Sequence, residues 1–129
     1  MLLSLSAALC AAEETVSLPD ESFLIGEWVY EYTDSSNDTI KKTYTFSEEG
    51  RGQYKAENVT KNTPQSSGYI EYEFLPKGTA SGYVGQINII HFGLKRVISY
   101  YDLYIDETGA YFNQYLRDEK YYKTDNPQR

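Results

Sequence analysis

From Gly26 onward the chain alternates between apolar and polar positions with a period of two, and the alternation breaks at turn residues. That period marks half-buried strands, because successive side chains on an extended backbone point to opposite faces. The stretch "GEWVYEY", residues 26–32, sets Trp28, Tyr30 and Tyr32 on one face and Glu27, Val29 and Glu31 on the other, and it stops at "DSSND". "TIKKTYTFS" and "RGQYKAENV" follow, joined by "EEG". A three-residue hairpin loop needs positive φ at its last position, and Gly50 supplies it. The register then sets Phe46 opposite Gly52, Tyr44 opposite Tyr54 and Lys42 opposite Ala56. "TKNTPQSS" reads as a loop, "GYIEYEFL" as a fourth strand with Ile70, Tyr72 and Phe74 on one face, and "PKGTASG" as a turn. "YVGQINIIH", "RVISYYDLYI", "AYFNQYL" and "YYKT" complete the series through the short connections "FGLK", "DETG" and "RDEK". Only "PDESFLIG", ahead of the first strand, suits a single turn of helix.

Eight short strands with tight connections predict an all-β, eight-stranded antiparallel up-and-down meander. Closing it into a barrel removes both exposed edges; a two-sheet sandwich is the competitor, and the absence of a long crossover argues against a Greek key. With Trp28 inward, the alternation places Tyr30, Tyr32, Tyr44, Phe46, Tyr54, Ile70, Tyr72, Phe74, Ile87, Ile89, Tyr101, Leu103, Phe112 and Leu116 inside. Across the sixth and seventh strands Leu103 meets Phe112 within, while Tyr104 meets Tyr111 outside. One step further Tyr100 meets Tyr115, with Tyr122 beside it. Such an outer tyrosine ladder either stabilises the sheet, at roughly 0.2–1 kcal/mol per cross-strand pair, or offers a contact surface to a protein or sugar partner.

Composition narrows the classes. The chain has 129 residues, enough for one domain. A net charge of -7 and a pI near 4.7 lack the basic surface that neutralises a phosphate backbone, so no nucleic-acid partner is expected. No apolar run approaches the roughly 18 residues of a transmembrane helix. The opening "MLLSLSAALCAAEE" reads as the end of a secretory signal, residues 1–12, truncated at its start and cleaved after Ala12. Cys10 falls inside it, so the mature chain would hold no disulfide, which suits export to a bacterial periplasm or the extracellular space. Alternatively "AALC" serves as a lax lipobox and Cys10 carries a lipid anchor, although Leu9 stands where a small residue is usual.

"LIGEW" resembles the G-x-W signature of the lipocalin-like superfamily, and in particular of short bacterial lipocalin-like domains. "YTFSEEGRGQY" resembles their second hairpin and "YIDETGAYFNQYLRDEKYYKT" their closing strands, so the resemblance spans residues 23–124. It implies that Gly26 and Trp28 form the closed floor and that a basic residue late in the last strand, here Lys123, packs over the indole. Family members often carry arginine there, and a lysine has no planar guanidinium to stack. It also implies an open mouth rimmed by loops at residues 34–38, 60–67, 92–95 and 118–119. Tyr32, Asn58, His91 and Tyr121 would lie near that mouth, with Lys42 and Tyr101 deeper. The candidate ligand-contacting set is Tyr32, Lys42, Tyr44, Tyr54, Asn58, Tyr72, His91 and Tyr101.

Catalytic chemistry finds little support. His91 is the only histidine and no second histidine or mature cysteine can join it around a transition metal. No serine motif accompanies it for acyl transfer, and "DSSND" reads as a turn rather than a calcium loop. The expectation is therefore a protein that is not an enzyme and needs no cofactor or metal. Two functions stay open. The barrel of an exported protein holds a small hydrophobic or amphipathic ligand; or it is packed solid and is an interaction module, such as a protease inhibitor or envelope accessory protein, meeting a protein partner at Tyr100, Tyr115 and Tyr122. A lumen of about 300 Å³ or more favours the first.

Overall fold

The computed structural model describes residues 21–80, 82–93 and 95–124, with the backbone alone at residues 21 and 78–80. The predicted leader, residues 1–12 with Cys10, lies outside the described residues. A helical turn, α1 (Glu21–Leu24), leads into β1 (Gly26–Thr33), β2 (Thr39–Phe46), β3 (Arg51–Asn58), β4 (Thr63–Ala80), β5 (Tyr83–His91), β6 (Val97–Asp106), β7 (Gly109–Asn113) and β8 (Tyr121–Lys123). Each strand pairs antiparallel with the next, and β8 returns to β1, so the eight strands form a closed up-and-down barrel. The all-β meander with one N-terminal helical turn is the architecture that the period-two pattern predicts.

The early registers match residue for residue: Phe46 faces Gly52, Tyr44 faces Tyr54 and Lys42 faces Ala56. In the β2–β3 turn both Glu49 and Gly50 take positive φ. Gly52 has a separate reason to be glycine, because a Cβ there would collide with the Thr45 carbonyl oxygen of the neighbouring strand.

Two segments differ from expectation. "TKNTPQSS" and "PKGTASG" are largely strand, since β4 runs from Thr63 to Ala80. The turn before it is confined to residues 59–62, with Asn62 at a φ of 56°. Polar residues there face solvent while the backbone pairs with β3, and a bulge between Ala56 and Glu57 accommodates Pro64. The far end of β4 breaks register between Pro76 and Ala80.

The seventh strand is the second difference. It ends at Asn113, and Tyr115 and Leu116 stand 79% and 87% exposed in the turn beyond it. Leu116 is therefore not inside, and Tyr115 pairs with neither Tyr100 nor Tyr122. The Asn113 side-chain amide donates to the Arg117 carbonyl, the Arg117 N–H donates to the Gln114 carbonyl, and Leu116 adopts a φ of 63°. These bonds fold the chain back before the apparent alternation of "AYFNQYL" can continue.

The core fills the lower barrel. Leu24, Trp28, Phe46, Ile70, Ile87, Ile89, Leu103 and Phe112 are fully buried, and Tyr44, Tyr72, Phe74 and Tyr101 nearly so. Complete burial of each large side chain contributes about 1.5–3 kcal/mol. Trp28 sits at the floor, where its indole N–H donates to the Leu24 carbonyl at 2.9 Å. The helical turn thus caps the closed end and satisfies the only polar atom of the indole. Trp28 lies directly opposite Lys123 in the strand pair that closes the barrel.

Candidate functional site

Inward positions on β2, β3, β5, β6, β7 and β8 converge on the Tyr44 ring. Ring centres of Tyr54, Tyr101, Phe112, Tyr121, Phe46 and His91 lie within 5.0–6.1 Å of it. Of the predicted ligand-contacting set, Tyr44, Tyr54, His91 and Tyr101 are thus brought together, as packing around one central tyrosine. The Tyr44 hydroxyl lies 2.9 Å from His91 Nε2 and 3.2 Å from the Tyr101 hydroxyl. Either histidine tautomer completes this chain: with Nδ1 protonated Tyr101 donates to Tyr44 and Tyr44 to His91, and with Nε2 protonated the donors run the other way. Burial pushes the phenols of Tyr44, Tyr101 and Tyr121 upward and holds the His91 imidazole below its ordinary value. At neutral pH the whole chain is thus uncharged. It is a satisfied polar thread through an aromatic core.

The remaining candidates divide between floor and rim. Tyr72 belongs to the floor: its ring packs 4.4 Å from Phe46 and its hydroxyl donates to the Ser47 carbonyl at 2.7 Å, at the end remote from the mouth. Asn58 is a buried rim clamp. Its amide donates to Asp38 at 2.9 Å and its oxygen accepts from the Lys61 N–H, which ties the β1–β2 and β3–β4 turns together. The same bond from Asn58, ahead of Lys61, holds the Asp38 carboxyl below its usual range.

At the mouth, the Lys42 ammonium sits 5.5 Å over the Tyr32 ring and 3.9 Å from Glu119, which the β7–β8 connection carries inward. The resemblance sets the loop at residues 118–119 on the rim; the contact of Glu119 with Lys42 is one that strand periodicity could not find, because it comes from an irregular connection. Alternation places Tyr121 inward on β8, and its ring stacks on Phe112 at 5.1 Å, with an interplanar angle of 9°.

Lys123 holds the floor from the other side. Its ammonium donates to the carbonyls of Phe23 and Ile25, and lies 4.9 Å over the Phe23 ring and 5.5 Å over the Trp28 ring. The indole contact is made by a point charge, without the plane that arginine would bring.

The outer wall carries two aromatic features. Tyr83, Tyr104, Tyr111 and Tyr122 form a ladder across β5 to β8, with successive ring centres 5.6, 5.3 and 5.3 Å apart. This is the tyrosine ladder of the sequence in a different place: Tyr122 pairs with Tyr111, and Tyr83 takes part. Nearer the mouth, Tyr69 packs against Phe92 at 5.5 Å, and Ile90 pairs directly with Ile98, beside exposed Tyr100.

Two hollows lie against the wall. One, of about 260 Å³, is lined by Gln53, Tyr54, Lys55, Ser67, Gly68 and Tyr69, where Gly68 brings no side chain opposite Tyr54. The other, of about 240 Å³, lies among polar side chains of β1, β2 and β3, from Glu27 to Glu57. Among the described residues no group of three His, Cys, Asp or Glu side chains is placed to hold a metal, and no helix is long and apolar enough to cross a membrane. Comparison with protein-family models, with curated proteins and with solved structures gives no match for this chain.

Proposed function

We propose that this barrel is a non-enzymatic interaction module that meets a protein partner through its outer wall, with the lumen serving as a hydrophobic core. The observation that carries this reading is the packing of six aromatic rings around Tyr44. Interiors packed in this way leave few voids larger than a water molecule. The hydroxyl chain from Tyr101 through Tyr44 to His91 uses up the polar groups that would otherwise orient a ligand.

The wall supplies what the lumen does not. Exposed Tyr69 on β4, Phe92 just past β5, and Ile98 and Tyr100 on β6 gather near the mouth, and exposed apolar surface of this kind is characteristic of contact sites. The lipocalin-like resemblance is compatible with this use: the chain keeps the plan of such a domain and fills its calyx.

Titration with fatty acids and other hydrophobes, read by Trp28 fluorescence and calorimetry, tests the reading. The expected result is no saturable change. A saturable response that disappears when the mouth is altered at Lys42 or His91 would return the ligand to the lumen and overturn the proposal.

A further inference from the structure

A row of tyrosines leads from the mouth to the centre of the barrel. Tyr32, partly exposed, stacks on Tyr30; Tyr30 meets Tyr121, and Tyr121 meets Tyr44, with ring centres 5.5, 5.6 and 5.1 Å apart in turn. Alternation on β1 supplies the first two rings, and the row then crosses to β8 and β2. Packing alone asks only for apolar rings in such places, and Phe46 and Phe112 provide them beside Tyr44. Tyrosine brings a second property. A phenol gives up an electron far more readily than a phenylalanine ring, and electrons tunnel rapidly between rings packed this closely.

The fate of the proton decides where such an oxidation comes to rest. A tyrosine that has lost an electron is a strong acid, and its radical persists where a base takes the proton and keeps it at hand. The Tyr72 hydroxyl donates to the Ser47 carbonyl and the Trp28 indole to the Leu24 carbonyl, and a backbone carbonyl accepts a hydrogen bond without taking the proton. The Tyr44 hydroxyl instead lies 2.9 Å from His91 Nε2, within reach for direct transfer to an imidazole. The Tyr101 hydroxyl, 3.2 Å from it, can donate to the oxygen that remains. Tyr44 is 2% exposed, so a radical there is shielded from the tyrosines of other molecules.

We propose that this barrel is a sink for one-electron oxidants, in which Tyr44 gives up the electron and His91 receives the proton. An oxidising radical or high-potential metal complex at the mouth takes one electron from Tyr44 by way of Tyr121, Tyr30 and Tyr32, and is itself reduced by one electron. The Tyr44 O–H bond breaks and an N–H bond forms at His91 Nε2. The products are a neutral Tyr44 phenoxyl radical and a His91 imidazolium. The new N–H donates back to the phenoxyl oxygen as a charge-assisted hydrogen bond. A one-electron reductant such as ascorbate returns the electron, and the same proton goes back to Tyr44. The scheme requires the tautomer protonated at Nδ1, in which Tyr101 donates to Tyr44 and Tyr44 to His91. It belongs to the lumen and goes beyond any use of the outer wall.

His91 is the only histidine, so nitrogen NMR reads its tautomer without ambiguity and without a variant. A ring protonated at Nδ1 is expected; one protonated at Nε2 overturns the inference. Oxidation by photogenerated tris(bipyridine)ruthenium(III), followed by absorption and electron paramagnetic resonance, reads the radical, with Trp28 emission as the check on folding. The wild-type chain is expected to accumulate a long-lived tyrosyl radical that ascorbate removes. Tyr44→Phe and His91→Gln should each lower its yield about tenfold or more, because each removes one partner of the proton transfer. Deprived of the sink, the variants should cross-link between molecules as dityrosine through Tyr100 and Tyr115, which are 57% and 79% exposed. Tyr115→Phe should leave the radical yield unchanged. A yield indifferent to both Tyr44→Phe and His91→Gln overturns the inference, and so does a wild-type chain that cross-links as fast as they do.

Discussion

Lys123 stands opposite Trp28 in the last strand pair of the barrel, its ammonium 5.5 Å over the indole and bonded to two carbonyls of the incoming chain. One side chain thus joins the last strand, the floor residue and the stretch that runs from α1 into β1. Gly26, between them in sequence, takes a φ of 129° that brings the backbone round to meet it.

Replacing Lys123 by Met keeps much of the stem and removes the charge. A hydrogen bond to a charged group is worth about 1.5–3 kcal/mol, and a partly shielded cation over a ring about 0.5–2 kcal/mol. With partial compensation by water, Lys123→Met should cost about 2–3 kcal/mol in urea unfolding. It should also shift Trp28 emission to the red as the floor loosens. Lys123→Arg should retain most of the stability, because the guanidinium can reach a carbonyl and stack on the ring.

Acidification should act through His91 before it acts through carboxylates. Burial depresses the folded-state pKa of His91 below the ordinary 6.5. Above that value both folded and unfolded chains hold a neutral imidazole and nothing is at stake. As pH falls through the unfolded value the unfolded chain takes up a proton that the folded chain refuses, so stability declines until the lower folded value is passed. Urea midpoints measured from neutral pH down to about pH 5 should fall, and His91→Gln should flatten that slope. Asp38 and Asp106, whose carboxyls are held below their usual range, contribute in a separate window near and below their ordinary value of 3.8.

The barrel was legible in the sequence because alternation acts everywhere at once. Trp28, Tyr44, Phe46, Ile87, Leu103 and Phe112 can all point inward only if the strands and hairpin registers agree, and the registers observed do agree. Alternation failed where the chain leaves the ladder. "AYFNQYL" keeps a period of two through Leu116, yet the bonds among Asn113, Gln114 and Arg117 fold it away after Asn113. The reverse error occurred at Thr63 to Ser67, where polar composition suggests a loop and backbone pairing to β3 makes a strand. The contents of the lumen depend on side-chain volumes meeting across the barrel, as around Tyr44, and these are set by tertiary contact that no single strand encodes. The resemblance sets the loop at residues 118–119 at the mouth but not the pairing of Glu119 with Lys42, because an irregular turn has no periodicity to aim its side chains.

The revised tyrosine ladder distinguishes two residues that alternation alone treats alike. Tyr111 stacks between Tyr104 and Tyr122, with Lys120 placed 4.9 Å over its ring. Tyr115 stands clear of the wall. Tyr111→Ala should cost about 0.4–2 kcal/mol, from two cross-strand aromatic contacts at roughly 0.2–1 kcal/mol each. Tyr115→Ala should stay within about 0.5 kcal/mol of the parent. Equal effects of the two would mean that the strand continues past Asn113 in solution.

Tyr44 is where core and function meet. Tyr44→Phe removes one oxygen and leaves His91 Nε2 and the Tyr101 hydroxyl without their shared partner, so it should cost about 1–3 kcal/mol. Tyr44→Ala removes the ring around which six others pack, and by analogy with large aromatic truncations should cost about 3–5 kcal/mol. If the barrel survives that loss, it should hold an apolar space suited to a small aromatic molecule, as engineered dry cavities do. Phenol or indole should then raise the melting temperature of Tyr44→Ala while leaving the parent unchanged. A parent stabilised to the same degree would mean that the lumen already has room and that the barrel is not packed at its centre.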